Sequence, residues 1–247
     1  MVDKNIRLIV AYDGTRYHGW QRQKNAVTIQ EVLEKQIRVM TGDPVTLIAS
    51  GRTDAGVHAL NQACNFVTRS TIPLHAMIQG LNSLLPDDIL IKDAAYVPLP
   101  FHSRYSARSK IYEYRIWNRT SPDIFRRNFI WQIRKPLDME AMGLCLSHLM
   151  GSHDFSSFRS SGSSNIDPVR TILRAEINGH ENGLLCIVIE ADGFLRHMVR
   201  NIVGTVVEAG MGKIRFDRFK EIVDSKDRRL AGLKAPPHGL FLVEVRY

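Results

Sequence analysis

The sequence is poor in cysteine: Cys64, Cys145 and Cys186 are its only three, far apart and never in a C-x-x-C spacing. An odd, scattered set of this kind offers neither a disulfide framework nor a zinc pattern, so the three thiols are expected to be reduced and buried. Long apolar runs are missing too. None approaches the about 20 residues that a membrane helix needs, so no membrane partner is expected. The N-terminal stretch carries Asp3, Lys4 and Arg7 before a short apolar run, without the long apolar core and cleavage site of a secretory leader. A soluble, cytoplasmic chain is the expectation. Gly210-Met211-Gly212-Lys213 lacks the spacing of a phosphate-binding P-loop, and no G-x-G-x-x-G follows a strand. His148 and His153 are five apart and do not form H-E-x-x-H. Neither cofactor nor metal is expected.

Negative charge is in short supply. Thirty-three basic residues against 25 acidic ones leave a net charge of +8 and a pI near 9.6, which favours a polyanionic partner such as nucleic acid. The excess concentrates in one segment. From Arg104 to Lys135 there are nine basic residues, with Arg108, Lys110, Arg115, Arg119, Arg126, Arg127 and Arg134 between, against only Glu113 and Asp123. A solvated basic face is the plain reading of such a run. Nucleic-acid binding is favoured because Tyr105, Tyr112, Tyr114 and Trp117 are interleaved, and such rings stack on bases. Arg104 and Lys110, at the head of the run, are candidate substrate-binding residues.

The hydropathy pattern gives an α+β chain. Ile6 to Tyr12 reads as a strand, and Thr28 with Glu31 reads as a capping box opening a helix through Val32, Leu33 and Ile37. Val45 to Ala49 and Ala63 to Thr68 are short β-rich runs, Pro73 starts a second helix, and Asp87 to Val97 closes as a strand. The order β-α-β-β-α-β is the split βαβ, ferredoxin-like arrangement. A comparable order returns with strands near Ile111 to Trp117 and Phe129 to Ile133 and a helix from Met139 to Met150. A hairpin of Arg174 to Ile177 and Leu184 to Ala191 flanks the turn-rich Asn178 to Gly183. A helix from Leu195 to Ala209 stops at Gly210, and a helix near Phe216 to Asp224 precedes a last strand, Leu240 to Val245. Two halves with mainly antiparallel sheets are expected, residues 1–103 and 104–247.

Gly51-Arg52-Thr53-Asp54-Ala55-Gly56-Val57-His58 is the most unusual stretch, a polar, Gly-containing loop between two strands. Loops of this kind commonly carry function. An Asp in such a loop also serves as a turn former capping local amides, and composition fits both readings equally. GRTDAGVHA, however, resembles the stretch around the catalytic aspartate of the tRNA pseudouridine synthase A family. YDGTRYHGWQRQ at Tyr12 to Gln23, FHSRYSARSKIYEY at Phe101 to Tyr114, HDFSSFR at His153 to Arg159, FLRHMVRNIVGTVVEAG at Phe194 to Gly210 and the C-terminal APPHGLFLVEVRY are similar to the same family, in order. Leu233-Lys234 departs from it, where a smaller, less charged pair is expected.

The resemblance implies the pseudouridine synthase fold and the isomerisation of uridine in the tRNA anticodon stem-loop, at positions 38–40, by a homodimer whose two subunits share one tRNA. It makes Asp54 the catalytic carboxylate, Tyr112 the ring stacked on the target uracil and Arg52 the residue that helps displace the base. Arg200 becomes the cationic partner of the carboxylate, and Leu240 an apolar wall. Three of these positions also have plain readings: a half-buried strand residue for Tyr112, an exposed helix charge for Arg200 and core for Leu240. The chemistry suits this set. The bond from ribose C1′ to uracil N1 breaks and C5 bonds to C1′, with no redox change, so a carboxylate and a ring to hold the freed base suffice. Attack at C1′, addition at C6 and abstraction of a ribose proton all fit a carboxylate. Two other readings are a catalytically silent tRNA-binding protein, which needs no Asp at position 54, and an Asp-nucleophile hydrolase, for which no phosphate loop is evident.

Overall fold

A computed structural model describes residues 2–160, 167–179 and 182–247. The chain forms two compact units: Met1–Arg108 together with Phe241–Tyr247, and Ser109–Leu240. The architecture is mixed α+β with mostly antiparallel pairing.

In the first unit, β1 (Lys4–Tyr12) leads to α1 (Ile29–Thr41), β2 (Ile48–Ala49), β3 (His58–Thr68), α2 (Leu74–Leu84) and β4 (Ile89–Val97). The strands lie in the order β4-β1-β3 with β2 beyond β3, all antiparallel, which is the expected split βαβ arrangement. Alternation in β1 sends Ile6, Leu8, Val10 and Tyr12 into the core, where Ile29, Leu33 and Ile37 of α1 and Met77 and Leu81 of α2 are also buried. The C-terminal strand β10 (Leu240–Arg246) runs parallel to the start of β3, Phe241 opposite His58 and Leu242 opposite Ala59.

Two local expectations change. The helix begins after Thr28, but Thr28 makes no side-chain cap. Carbonyls do that work instead, since the amides of Ile29 and Gln30 donate to Gly19 O (3.1 Å) and Trp20 O (3.0 Å). The Val45 to Ala49 run shrinks to the two residues of β2 because Leu47 donates its amide to Glu34 Oε1 (2.9 Å) and not to a strand.

The second unit contains β5 (Ser109–Trp117), β6 (Trp131–Gln132), α3 (Met139–His148), β7 (Gly151–Asp154), β8 (Val169–Gly179), β9 (Leu184–Ala191), α4 (Met198–Gly210) and α5 (Phe216–Ser225). Its strands lie in the order β5-β9-β8-β7, antiparallel, with β6 parallel to β5. The β8–β9 hairpin is as expected; His180 and Glu181 of its turn lie outside the described residues. Of the Phe129 to Ile133 run only Trp131 and Gln132 pair as a strand, and β7 is an additional strand that the hydropathy pattern does not show.

Helix α4 is buried on nearly every side, its polar residues Arg200, Asn201 and Thr205 included. It starts at Met198, later than Leu195, because His197 takes a left-handed conformation (φ 62°). Gly210 is its last residue and not its stop. The left-handed glycine is Gly212 (φ 73°), whose amide donates to Ala209 O (2.8 Å). The HDFSSFR block closes this core: Phe155 and Phe158 are buried, Ser157 Oγ donates to Ile222 O of α5 (2.6 Å), and Asn201 Nδ2 of α4 donates to Phe158 O (2.7 Å). All three cysteines are buried and unpaired, and burial pushes the Cys145 and Cys186 thiols up to about 11. Among the described residues no helix is long and apolar enough to cross a membrane.

Candidate active site

The Gly51–His58 loop joins β2 to β3, and its backbone is held from three directions. At its base Ser50 donates its amide to Ala63 O (2.8 Å), while Gln62 Nε2 donates to Gly51 O (2.9 Å). At its middle Thr53 is buried, its hydroxyl 2.7 Å from the Tyr12 hydroxyl, and burial raises the pKa of that phenol so that it stays neutral. Thr53 O accepts the Trp20 amide (3.1 Å), and the Gly56 amide donates to Tyr17 O (3.3 Å). At its exit Gly14 donates its amide to His58 Nδ1 (3.0 Å), and the His58 ring stacks on Phe241 at 4.7 Å.

This explains the glycines of YDGTRYHGW. A Cβ at Gly14 would lie 2.0 Å from Val57 O, and one at Gly19, which has φ 85°, would lie 2.4 Å from Thr53 O. Only glycine lets this segment lie against the loop. Trp20 then links the loop to α1, accepting the Gln30 amide while donating its own to Thr53. Within this frame Thr53 is fixed, Asp54 is half-buried, and Arg52 is exposed. A carboxylate with one side open is thus carried on a backbone that has little freedom to move. Sequence alone assigns no role to Tyr12, Gly14, Gly19 or Gln62; for the first three the signal is a polar block, Tyr12 to Gln23, that holds two glycines five residues apart.

The first unit holds Arg52 and Asp54 in one loop, and Arg104, exposed, in the turn after β4. The second unit holds the other candidates. Lys110 and Tyr112 lie on β5, Lys110 half-buried and Tyr112 8% exposed, its ring edge-on to Phe194 at 5.0 Å. Arg200 is in the first turn of α4 and is 7% exposed, so it is no surface charge. Its Nε donates to Ala235 O (2.8 Å), and the Ala235 amide returns a bond to Arg200 O (3.0 Å). Leu240, 5% exposed, ends the same segment.

That segment is tied down along its length. Leu233 O lies where a Cβ on Gly204 would be, 1.8 Å away, so Leu233-Lys234 crosses α4 by backbone approach, with both side chains exposed. The departure from the family's pattern at those two residues therefore falls on the solvent side. Tyr114 donates its hydroxyl to Pro236 O (2.7 Å) and is fully buried, so it is no base-stacking residue, contrary to the reading from composition. Burial and the nearby Arg200 charge lower the pKa of His238. Of the rings in the basic run, Tyr105 is the exposed tyrosine, at 77%.

Over residues 8–106 and 146–247 the chain matches the family described as tRNA pseudouridine synthase. The chain belongs to this family. Asp54, Arg52, Arg104, Arg200 and Leu240 lie within the matched segments of the tRNA pseudouridine synthase family, and Lys110 and Tyr112 between them. The tRNA pseudouridine synthase A of Thermoanaerobacter sp. (strain X514) is 50% identical over 244 residues, 99% of this chain and all of the relative. That of Acetivibrio thermocellus is 48% identical and that of Geotalea uraniireducens 44%, each over the same 99% of this chain and the whole of the relative.

Proposed function

We propose that this chain isomerises uridine to pseudouridine in tRNA, on the 3′ side of the anticodon stem-loop, with Asp54 as the catalytic carboxylate. The observation that carries the reading is the held loop, which presents one half-buried carboxylate in a chain of this family. Asp54 acts on the target nucleotide as the C1′–N1 bond breaks. The freed base turns, C5 bonds to C1′, the proton on C5 leaves to solvent and N1 takes one up, so the product is an isomer of the substrate. Tyr112 stacks on the uracil through the turn, Arg52 helps the base out of its stack, Arg200 supplies the cation that favours an ionised carboxylate, and Leu240 walls the pocket. Arg104 and Lys110 contact the RNA. Two copies share one tRNA in the cytoplasm.

The test is Asp54→Asn. It keeps the side chain's size and one acceptor oxygen but removes the charge. Pseudouridine formation, read as tritium release from C5-labelled uridine in tRNA, is expected to be abolished, with tRNA affinity within a few-fold of the parent and melting unchanged. A turn-forming Asp would tolerate Asn, because Asn caps amides equally well. Substantial turnover by the folded variant would therefore remove Asp54 from the chemistry.

A further inference from the structure

The basic run contains a feature that the target pocket does not use. Between β5 and β6, the turn around Pro122–Arg127 carries Phe125 at 88% exposure, more than any other large apolar side chain described, and Ile124 at 59%. Such a ring on an untethered loop would be unremarkable surface. This turn is tethered. Asp123 Oδ1 accepts the amides of Phe125 (3.1 Å) and Arg126 (2.9 Å), and Oδ2 accepts Arg126 Nε (2.7 Å). The Arg126 guanidinium then lies over the Trp117 ring at 5.0 Å, and Trp117 Nε1 donates to Ser121 O (2.8 Å). Arg127 donates to Ile124 O, and the Phe129 amide to Arg126 O (2.7 Å). The bonds from Arg126 hold the Asp123 carboxyl below its usual range, so the network keeps its charges. A hydrogen-bonded turn thus holds a ring outward, with exposed Arg119, Arg127, Arg134 and Lys135 in the same stretch of chain.

We propose that this turn is a second RNA contact, outside the target-uridine pocket, in which Phe125 stacks on an unpaired base of the tRNA. Two observations select RNA as the occupant. The exposed charges of this stretch of chain, Arg119, Arg127, Arg134 and Lys135, are all cationic and match a phosphate backbone, and an aromatic ring among cations is the pattern that holds single-stranded bases. A second copy of the chain fits less well, because a two-fold interface sets the same patch against itself and would press these cations together. Arg126 serves as a positioning residue: paired with Asp123 and stacked on Trp117, it shapes the turn.

The inference rests on the tRNA reading above. Parent, Phe125→Ser, Phe125→Leu and Phe125→Trp proteins are compared by filter binding to unmodified tRNA and by tritium release, with sedimentation to read self-association. Phe125→Ser and Phe125→Leu are expected to weaken binding about ten-fold, and Phe125→Trp to restore it, since stacking needs a flat ring and not merely an apolar one. The dependence of log K on log salt should stay as in the parent, because no phosphate contact is removed. A photoreactive benzoylphenylalanine at position 125 should cross-link to an unpaired nucleotide. Unchanged affinity of Phe125→Ser, in a parent that forms pseudouridine, overturns this contact alone. A parent that neither binds nor modifies tRNA overturns the tRNA reading and this inference with it. Cross-linking chiefly to another protein chain, or loss of self-association in Phe125→Ser, places the ring between copies instead and also overturns it.

Discussion

Tyr112 and Tyr114 differ by two residues and share one face of β5, yet the structure separates their roles. Tyr114 is sealed beneath the 235–239 segment, with its hydroxyl on Pro236, whereas Tyr112 keeps 8% of its surface open and leans edge-on against Phe194. Strand alternation alone treats the two rings alike, because what covers one of them comes from more than 100 residues away along the chain. If Tyr112 works by stacking, Tyr112→Phe keeps both the ring and its contact with Phe194 and should retain most activity. Tyr112→Leu should lose about 1–3 kcal/mol of base stacking. Single-turnover assays decide: a Phe variant as slow as the Leu variant would mean that the hydroxyl takes part in the chemistry. Asp54 was legible through its motif, but its support was not. The contacts of Tyr12, Gly14 and Gly19 with the loop depend on the fold bringing distant backbone within van der Waals reach.

Helices and strands follow the hydropathy pattern where burial has one direction, as in α1, α2 and β1, and depart from it where another hydrogen-bonding partner intervenes. Glu34 takes the Leu47 amide from a would-be strand, and Gly19 and Trp20 replace the side-chain cap of α1. Gly210 looked like a helix stop but is a packing glycine: a Cβ there would lie 2.7 Å from the Met142 side chain of α3. Glycines inside helices give a paired test. Gly204→Ala in α4 drives a methyl to 1.8 Å from Leu233 O, a backbone atom that cannot swing aside, and should destabilise by at least about 1–3 kcal/mol. Gly143→Ala in α3 meets nothing within 4 Å and should stabilise by about 0.5–1 kcal/mol through helix propensity. Denaturant melts of both variants check the signs. A tolerated Gly204→Ala would show that the 233–235 segment does not hold the close position against α4 described above.

At the scale of the whole molecule, no linear reading shows that the last seven residues return to the first unit, because β10 pairs with β3 across most of the chain's length. Net charge is legible without structure, and +8 on 247 residues makes a definite demand on the way tRNA is held. If binding is dominated by phosphate contacts, log K should fall linearly with log salt, with a slope of about −0.9 per duplex phosphate neutralised. The structure states which cations are available for this. Arg126 is committed to Asp123 and Trp117, whereas Arg134 and Lys135 are exposed. Arg134→Gln and Lys135→Gln should therefore each weaken binding and reduce the slope by about 1, uniformly across tRNA species, because a phosphate contact carries no base information. Arg126→Gln should instead act through the shape of the turn, lowering affinity with a smaller change in slope. The measurement is filter binding of each variant over a salt series. A parent slope near zero would mean that the positive charge serves solubility and not RNA binding, and equal slopes for all three variants would mean that exposure at this turn does not identify the phosphate contacts.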